Sequence, residues 1–366
     1  MDQASVLHQI AITRIPHVGN ILVKTLISYC GGIEEVFRAR KKELLKIPGI
    51  GETVADSVVQ NDTFAEAEKE LTFIEKHQIK VFFYLDKNYP QRLRQLPDSP
   101  PILYFKGNAN LDHERTIGIV GTRQPTPHGV AICEEIVDGL KGYNVLTISG
   151  LAYGIDVTAH RKSLECGIPT IGVMGNGFRQ IYPATHRSVA EKMLQSGGLL
   201  TEFAHYVRPD RENFPMRNRI IAGLSDAVIV VETATSGGSI ITAQLANDYN
   251  KDVFAVPGRV KDKFSQGCNQ LIKSNRAALL ESAADVAYVM GWNGGNSTKS
   301  RQASLFVELS DTEQKVVDLL RQEEVIGIDQ LMYLSQLSNS ALAALLLELE
   351  FKGVVKSLPG KQYMLI

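Results

Sequence analysis

The residues with the densest chemistry in this chain run from Phe214 to Ser225, Phe-Pro-Met-Arg-Asn-Arg-Ile-Ile-Ala-Gly-Leu-Ser. Arg217, Asn218 and Arg219 follow an aromatic, and the apolar run from Asp226 to Val231 then reads as a strand. Guanidinium groups grip phosphate in a bidentate fork, and a neighbouring ring gives a base a surface to stack on. Beside glycine-rich turns, that mixture suits a single-stranded nucleic acid better than a small metabolite.

Four turns carry the rest of the signal. Gly121-Thr122-Arg123 follows the strand expected at Ile117–Val120. Its glycine admits a phosphate to the backbone, Thr122 offers a hydroxyl and Arg123 supplies charge. Ser149-Gly150-Leu151-Ala152-Tyr153-Gly154-Ile155-Asp156 follows the next strand and forms a second backbone cradle. A third turn, Gly175-Asn176-Gly177, leads into Ile181-Tyr182-Pro183, and a fourth, Ser236-Gly237-Gly238-Ser239, stands at a helix start, where free N–H groups favour an anion. Asp156 and His160 have the spacing of an acid–base pair. A helix-capping Asp156 and a buried, satisfied His160 is the simpler account.

The spacings also exclude chemistry. Neither GxGxxG, GxxxxGK[ST] nor Gly-x-Ser-x-Gly occurs, which argues against a dinucleotide fingerprint, a P-loop hydrolase and a nucleophile elbow. No His/Cys/Asp/Glu cluster has metal spacing, so neither metal nor cofactor is expected. The expectation is a binder rather than an enzyme.

Net charge is −1, so distribution matters more than the sum. Between Arg259 and Arg276 five basic residues, Lys261, Lys263 and Lys273 among them, face one acid, giving +4. From Phe306 to Ile366 five basic residues face nine acids, giving −4. Positive charge is thus concentrated in the middle of the chain, and the tail repels phosphate. Cys30, Cys133, Cys166 and Cys268 are scattered without a CxxC pair and read as reduced thiols. Met1–Ile10 lacks a signal-like core, and no apolar run approaches the ~20 residues of a bilayer span. A cytoplasmic protein without membrane contact is expected.

These residues need elements to hold them, and 366 residues imply two or three domains. Residues 1–65 are helical in pattern and carry Ile15-Pro16-His17-Val18-Gly19 and Ile47-Pro48-Gly49-Ile50-Gly51. The repeats fit tandem helix–hairpin–helix motifs, the first degenerate, or two plain turns in a small bundle. Within residues 66–290, nine apolar runs are strand-sized: Val81–Leu85, Ile102–Phe105, Ile117–Val120, Val145–Ile148, Thr170–Met174, Leu199–Thr201, Ala227–Val231, Val253–Val256 and Ala278–Leu280. Helical stretches such as Gly129–Lys141 and Asp156–Cys166 separate several of them. That predicts an α/β fold with a parallel, doubly wound sheet whose ligands bind beyond the carboxyl ends of the strands. Residues 291–305 read as a flexible Gly/Ser-rich linker. Residues 306–366 predict helices over Asp311–Gln322, Ile328–Leu334 and Ser338–Lys352, then a hairpin of Val354–Leu358 with Gln362–Ile366, a winged-helix pattern. Its third helix has almost nothing to reach bases or phosphates, so a protein contact is the expected role.

Taken in order, these motifs resemble the DNA-processing protein A family (DprA/Smf) over nearly the whole chain. The resemblance rests on Tyr89-Pro90, Pro101 to Gly107, Ile119 to Arg123, Ser149 to Asp156 with His160, Phe214 to Ser225, Ala255-Val256-Pro257-Gly258 and Gly267 to Ile272. It implies an extended Rossmann-like domain with a helix–hairpin–helix (SAM-like) domain before it and a winged helix after it. It further implies a non-catalytic homodimer that binds single-stranded DNA and loads RecA onto incoming strands during natural transformation. The family's Gly-Ser-Arg loop corresponds to Gly121, Thr122 and Arg123, and its Phe-Pro-x-Arg-Asn-Arg segment to Phe214, Arg217, Asn218 and Arg219. Its Ser-Gly-Ser loop corresponds to Ser236, Gly238 and Ser239 with one extra glycine. Arg179, His186 and Asn275-Arg276 depart from the family's usual aspartate, asparagine and Gly-Ala. The DNA-contacting set expected is therefore Gly121, Thr122, Arg123, Ser149, Gly150, Phe214, Arg217, Asn218, Arg219, Ser236, Gly238, Ser239, Lys261, Lys263 and Lys273. Two other classes remain: a Rossmann-like nucleotide phosphoribohydrolase, although its glutamate is missing after Ser239, and an adaptor without DNA affinity.

Overall fold

The computed structural model describes residues 3–292, 309–321, 326–352, 354–358 and 362–365. They fall into two compact units divided within residues 293–308, a stretch that lies outside the described residues along with nearly all of the expected linker.

The first unit begins with α1 (Gln3–Ile12), α2 (Asn20–Cys30), α3 (Ile33–Arg38), α4 (Lys41–Leu44), α5 (Glu52–Val59) and α6 (Phe64–Lys76). The two Pro-x-x-Gly turns fold alike. Val18 N donates to Ile15 O at 3.2 Å and Val23 N to Gly19 O at 3.0 Å; Ile50 to Ile47 and Ala55 to Gly51 repeat the pattern at 3.1 and 3.0 Å. The left-handed position is Gly49 (φ 83) in the second turn and His17 (φ 62) in the first. A side chain there is strained where glycine is not, which is why the first repeat reads as degenerate. Ala67 and Ile74 of α6 share one core with Val81, Phe83, Ile102 and Tyr104 of the first two strands. The boundary expected at residue 65 thus falls at the start of a helix that ties the bundle to the sheet.

The sheet contains β1 (Lys80–Phe83), β2 (Ile102–Gly107), β3 (Arg115–Val120), β4 (Val145–Ser149), β5 (Thr170–Val173), β6 (Gly197–Thr201), β7 (Ala227–Val230), β8 (Asp252–Ala255) and β9 (Ala278–Leu279). Between and after the strands lie α7 (Gln91–Arg94), α8 (Pro127–Leu140), α9 (Ile155–Glu165), α10 (Arg187–Met193), α11 (Asn213–Leu224), α12 (Gly238–Asp248), α13 (Gln266–Lys273) and α14 (Ala283–Val289). All nine expected strands are present. Strand order is β1-β2-β6-β5-β4-β3-β7-β8-β9, parallel from β6 through β9. The all-parallel expectation is corrected at one edge, where β2 pairs antiparallel with both β1 and β6. Only the one-turn α7 lies between β1 and β2, too short to run back along the sheet as a crossover helix.

Alternation along the strands assigns the faces. Val120, Val228 and Val230 pack under α11 and α12, whereas Ile117, Ile119, Ala227 and Ile229 pack under α8, α9 and α14. Strands β4 to β7 are buried throughout, as expected of a parallel sheet covered on both sides. β3 lies between β4 and β7, so the chain leaves these strands in opposite directions and a crevice opens at their carboxyl ends.

The second unit has α15 (Asp311–Leu320), β10 (Ile326–Gly327), α16 (Ile328–Ser335), α17 (Asn339–Phe351), β11 (Val355–Leu358) and β12 (Gln362–Leu365), with sheet order β10-β12-β11. Its core gathers Val316, Leu331, Leu342, Leu346 and Val355. This is the expected winged helix, plus the short strand β10. Among the described residues no helix is long and apolar enough to cross a membrane.

Candidate nucleic-acid interface

A cleft of about 760 Å³ occupies the crevice between β3 and β7. Gly121, Thr122 and Arg123 line it after β3, Ala152 and Asp156 after β4, and Ser236 to Ser239 after β7, while Phe214, Arg217 and Asn218 reach it from α11. Four segments distant in sequence thus meet here; the third turn of the sequence pattern, Gly175-Asn176-Gly177, does not line this cleft, although Gly175 lines a smaller neighbouring slot.

α11 determines which side chains face this cleft. Phe214, Arg217, Asn218 and Ile221 are spaced i, i+3, i+4 and i+7 and lie on one face. Arg219 is two residues past Arg217, about 200° round the helix. It is ion-paired with Glu202 and donates to Asp98 O at 2.8 Å. Asn20, at the start of α2, donates to the same Glu202 carboxylate at 3.3 Å. Arg219 therefore does not line the cleft with Arg217; its guanidinium ties α11 to Glu202, just past β6, and to Asp98, beside a separate pocket lined by Gly19 to Leu22.

Arg217 is 4 % exposed and donates through Nη1 to Gly150 O and Val173 O, holding together the ends of β4 and β5. Burial pushes the guanidinium down to about 10 against the attraction of Asp156, with repulsion from Arg123 added, so it remains charged at neutral pH. Gly150 is required by this approach, because a methyl group there would overlap Nη1 of Arg217. Arg217 forms the cationic floor of the site.

Arg123 is exposed, and its guanidinium lies 5.4 Å from the centroid of the Phe214 ring, a cation–π contact at the mouth. Asn218 Nδ2 donates to Gly238 O at 3.1 Å, and Ser239 Oγ donates to Thr233 Oγ1 at 2.7 Å. These bonds fix the amino end of α12 toward the cleft, where its first N–H groups present partial positive charge.

Other expected residues stand elsewhere. Ser149 is buried in the sheet and donates to Ile119 O at 2.6 Å, outside the cleft. Lys261, Lys263 and Lys273 are exposed and none lines it. Their segment is nevertheless tied to the rim: Thr233 N donates to Phe264 O at 2.7 Å, Phe264 lines the cleft, and Lys263 Nζ lies 5.6 Å from that ring. Arg211, not singled out in the sequence, also lines the cleft. So does Tyr182, from the run that follows the third turn, although it was not among the expected DNA contacts.

Asp156 is corrected as a helix cap. Gly154 is the residue at the cap of α9, and Asp156 Oδ2 accepts from Gly150 N at 3.1 Å and Ala152 N at 3.4 Å, bracing the preceding turn. Burial pushes its carboxyl up while Arg217 opposes the shift. His160 is buried, with Nδ1 2.7 Å from Thr170 Oγ1 and Nε2 without a partner; burial takes it down to about 3. It is half satisfied and stays neutral. Glu232 accepts from Thr126 N at 2.9 Å and Thr126 Oγ1 at 2.6 Å, at the start of α8. Among the described residues no His/Cys/Asp/Glu group could hold a metal ion.

Fold and site together define a Rossmann-like domain whose cleft sets Arg123 beside the Phe214 ring, preceded in sequence by a hairpin domain and followed by a winged helix. Family models match in the same order: helix-hairpin-helix motif over residues 11–71, DNA recombination-mediator protein A over 80–291, and DprA winged helix domain over 302–361. The chain is 32 % identical to Protein Smf of Synechocystis sp. over 97 % of both chains. It is also 32 % identical to DNA processing protein DprA of Streptococcus pneumoniae over 69 % of this chain and 96 % of that one. The X-ray structure of the Streptococcus pneumoniae protein superposes with a TM-score of 0.68 at 30 % identity, covering 77 % of this chain and 97 % of that one. A structure of DNA processing protein A from Helicobacter pylori, concerned with that protein's single-stranded DNA binding mode, gives 0.53 at 28 % identity, covering 58 % and 95 %. This chain belongs to the DNA recombination-mediator protein A (DprA) family.

Proposed function

We propose that this protein binds single-stranded DNA in the cleft between β3 and β7, without chemistry of its own, and hands the strand to RecA during DNA uptake and recombination. The observation that carries the reading is the Arg123–Phe214 pair beside the amino end of α12: cation, ring and backbone donors open to one cleft. Arg123 and the α12 N–H groups take phosphates, Phe214 stacks a base, and Arg217 supplies fixed positive potential from beneath. That the Helicobacter pylori relative binds single-stranded DNA supports the choice of ligand. Cytoplasmic residence and a homodimer belong to this proposal, with the winged helix as a protein contact. The exposed positions of α17 include Leu347, Glu348, Glu350 and Phe351, which suit a protein surface better than a phosphate backbone. The phosphoribohydrolase alternative is weakened by Glu232, whose two oxygens already serve Thr126.

Fluorescence anisotropy with single- and double-stranded oligonucleotides of equal length, at several salt concentrations, tests the reading. A preference for the single strand is expected, with log K falling by ~0.7 per log salt for each phosphate bound. Equal affinity for duplex, or no binding, overturns it.

A further inference from the structure

We propose that Tyr182 and Tyr153 form an aromatic ledge beside the cleft, on which a second base stacks, next in the strand to the one on Phe214. The proposal rests on the single-strand reading above and extends it by a subsite. Both tyrosines leave the sheet on neighbouring strands, Tyr153 in the turn after β4 and Tyr182 beyond β5, and each is 47 % exposed. Scattered exposed rings need no explanation. These two are not scattered: with Phe214, Arg123 and Pro183 they line one narrow slot. The slot shares Arg123, Tyr182 and Phe214 with the main cleft, so a strand passing Arg123 moves directly from one to the other.

The rings are held in place while their surfaces stay open. Tyr182 leans on Phe214, centroids 5.9 Å apart and planes 31° apart. Tyr153 meets His186 edge to face at 5.0 Å, and His186 is itself buried with Nδ1 2.9 Å from Leu151 O. The slot holds only about 20 Å³, so the base lies against exposed ring surface instead of entering between the rings. Phosphate contacts are left to Arg123 and the α12 end, and the ledge contributes stacking, which is tolerant of base identity.

The test is a Tyr153→Leu, Tyr182→Leu and double-variant series titrated with single-stranded oligonucleotides carrying an abasic site at each position in turn. Wild-type protein should show adjacent positions sensitive to base removal. Each leucine variant should bind the intact strand about tenfold more weakly, with the salt slope unchanged because no phosphate contact is lost. It should also lose the abasic penalty at one position only. Urea midpoints matching wild type establish that the leucine variants are folded, and Tyr153→Phe and Tyr182→Phe, which keep the ring, should keep the abasic penalty. Leucine variants that bind like wild type, or that keep every abasic penalty, overturn the ledge while leaving the single-strand reading intact. Wild-type protein without single-strand preference overturns both.

Discussion

α11 has two faces built from one short motif, and they differ in almost every respect. On the cleft side, Phe214 is half-buried and Arg123 above it is open, so charge and ring stay available. On the other side, Arg219 is closed against Glu202 and Asp98 at the junction with α2. The same Glu202 carboxylate also accepts from the Asn20 side chain at the start of α2. Residue type sets what a side chain can bind; the helix's rotation decides whether anything is left to bind it.

The largest effect should come from the floor. Arg217→Met removes the donor shared by Gly150 O and Val173 O and should lower the stability of the first unit by about 3–4 kcal/mol, abolishing DNA binding with it. Gly150→Ala should reproduce that loss, since its methyl needs the guanidinium's space. Urea denaturation measures both, and a fully stable Gly150→Ala protein would break the geometry.

Arg219→Ala should cost about 2–3 kcal/mol of stability by leaving Glu202 buried without its cation. The folded protein should still bind single strands within twofold of wild type. The reverse pattern, intact stability with lost binding, would place Arg219 in the DNA site and erase the difference between the faces.

Arg123→Ala should do the opposite. Its side chain is exposed, so stability should stay within about 0.5 kcal/mol. Affinity for single strands should fall about tenfold, and the salt slope should shrink by ~0.7, one phosphate's share. Anisotropy at four salt concentrations reads both quantities.

The remaining effect is spread over pH. His160 is held down to about 3 in the fold from an ordinary 6.5, so the unfolded chain takes up a proton first as pH falls. The stability it contributes is complete above about pH 6.5 and drains away toward pH 3, at most ~1.4 kcal/mol per unit. His160→Gln should flatten the fall in urea midpoint between pH 6 and 4, and an unchanged slope would contradict the assignment.

The strands were legible because apolar runs of strand length alternate with turn residues, and the glycine turns after β3, β4 and β7 were legible as cradles for the same reason. The antiparallel β2 edge was not, since its spacing from neighbouring runs resembles that of a crossover. Nor was the split between Arg217 and Arg219, which depends on Glu202 and Asp98 reaching α11 from distant segments. Ser149 read as loop because its hydroxyl bond to Ile119 exists only once β3 and β4 are paired. Tyr153 and Tyr182 are brought together by β4 and β5 lying side by side, which no local pattern records.

Photocrosslinking most directly tests where the strand lies. A single-stranded oligonucleotide carrying 5-iodouracil at successive positions would be irradiated with the full-length protein and the linked peptides identified. Crosslinks confined to peptides containing Tyr153, Tyr182 and Phe214 are the predicted result. Crosslinks confined to residues 259–276 or to the winged helix would contradict the account.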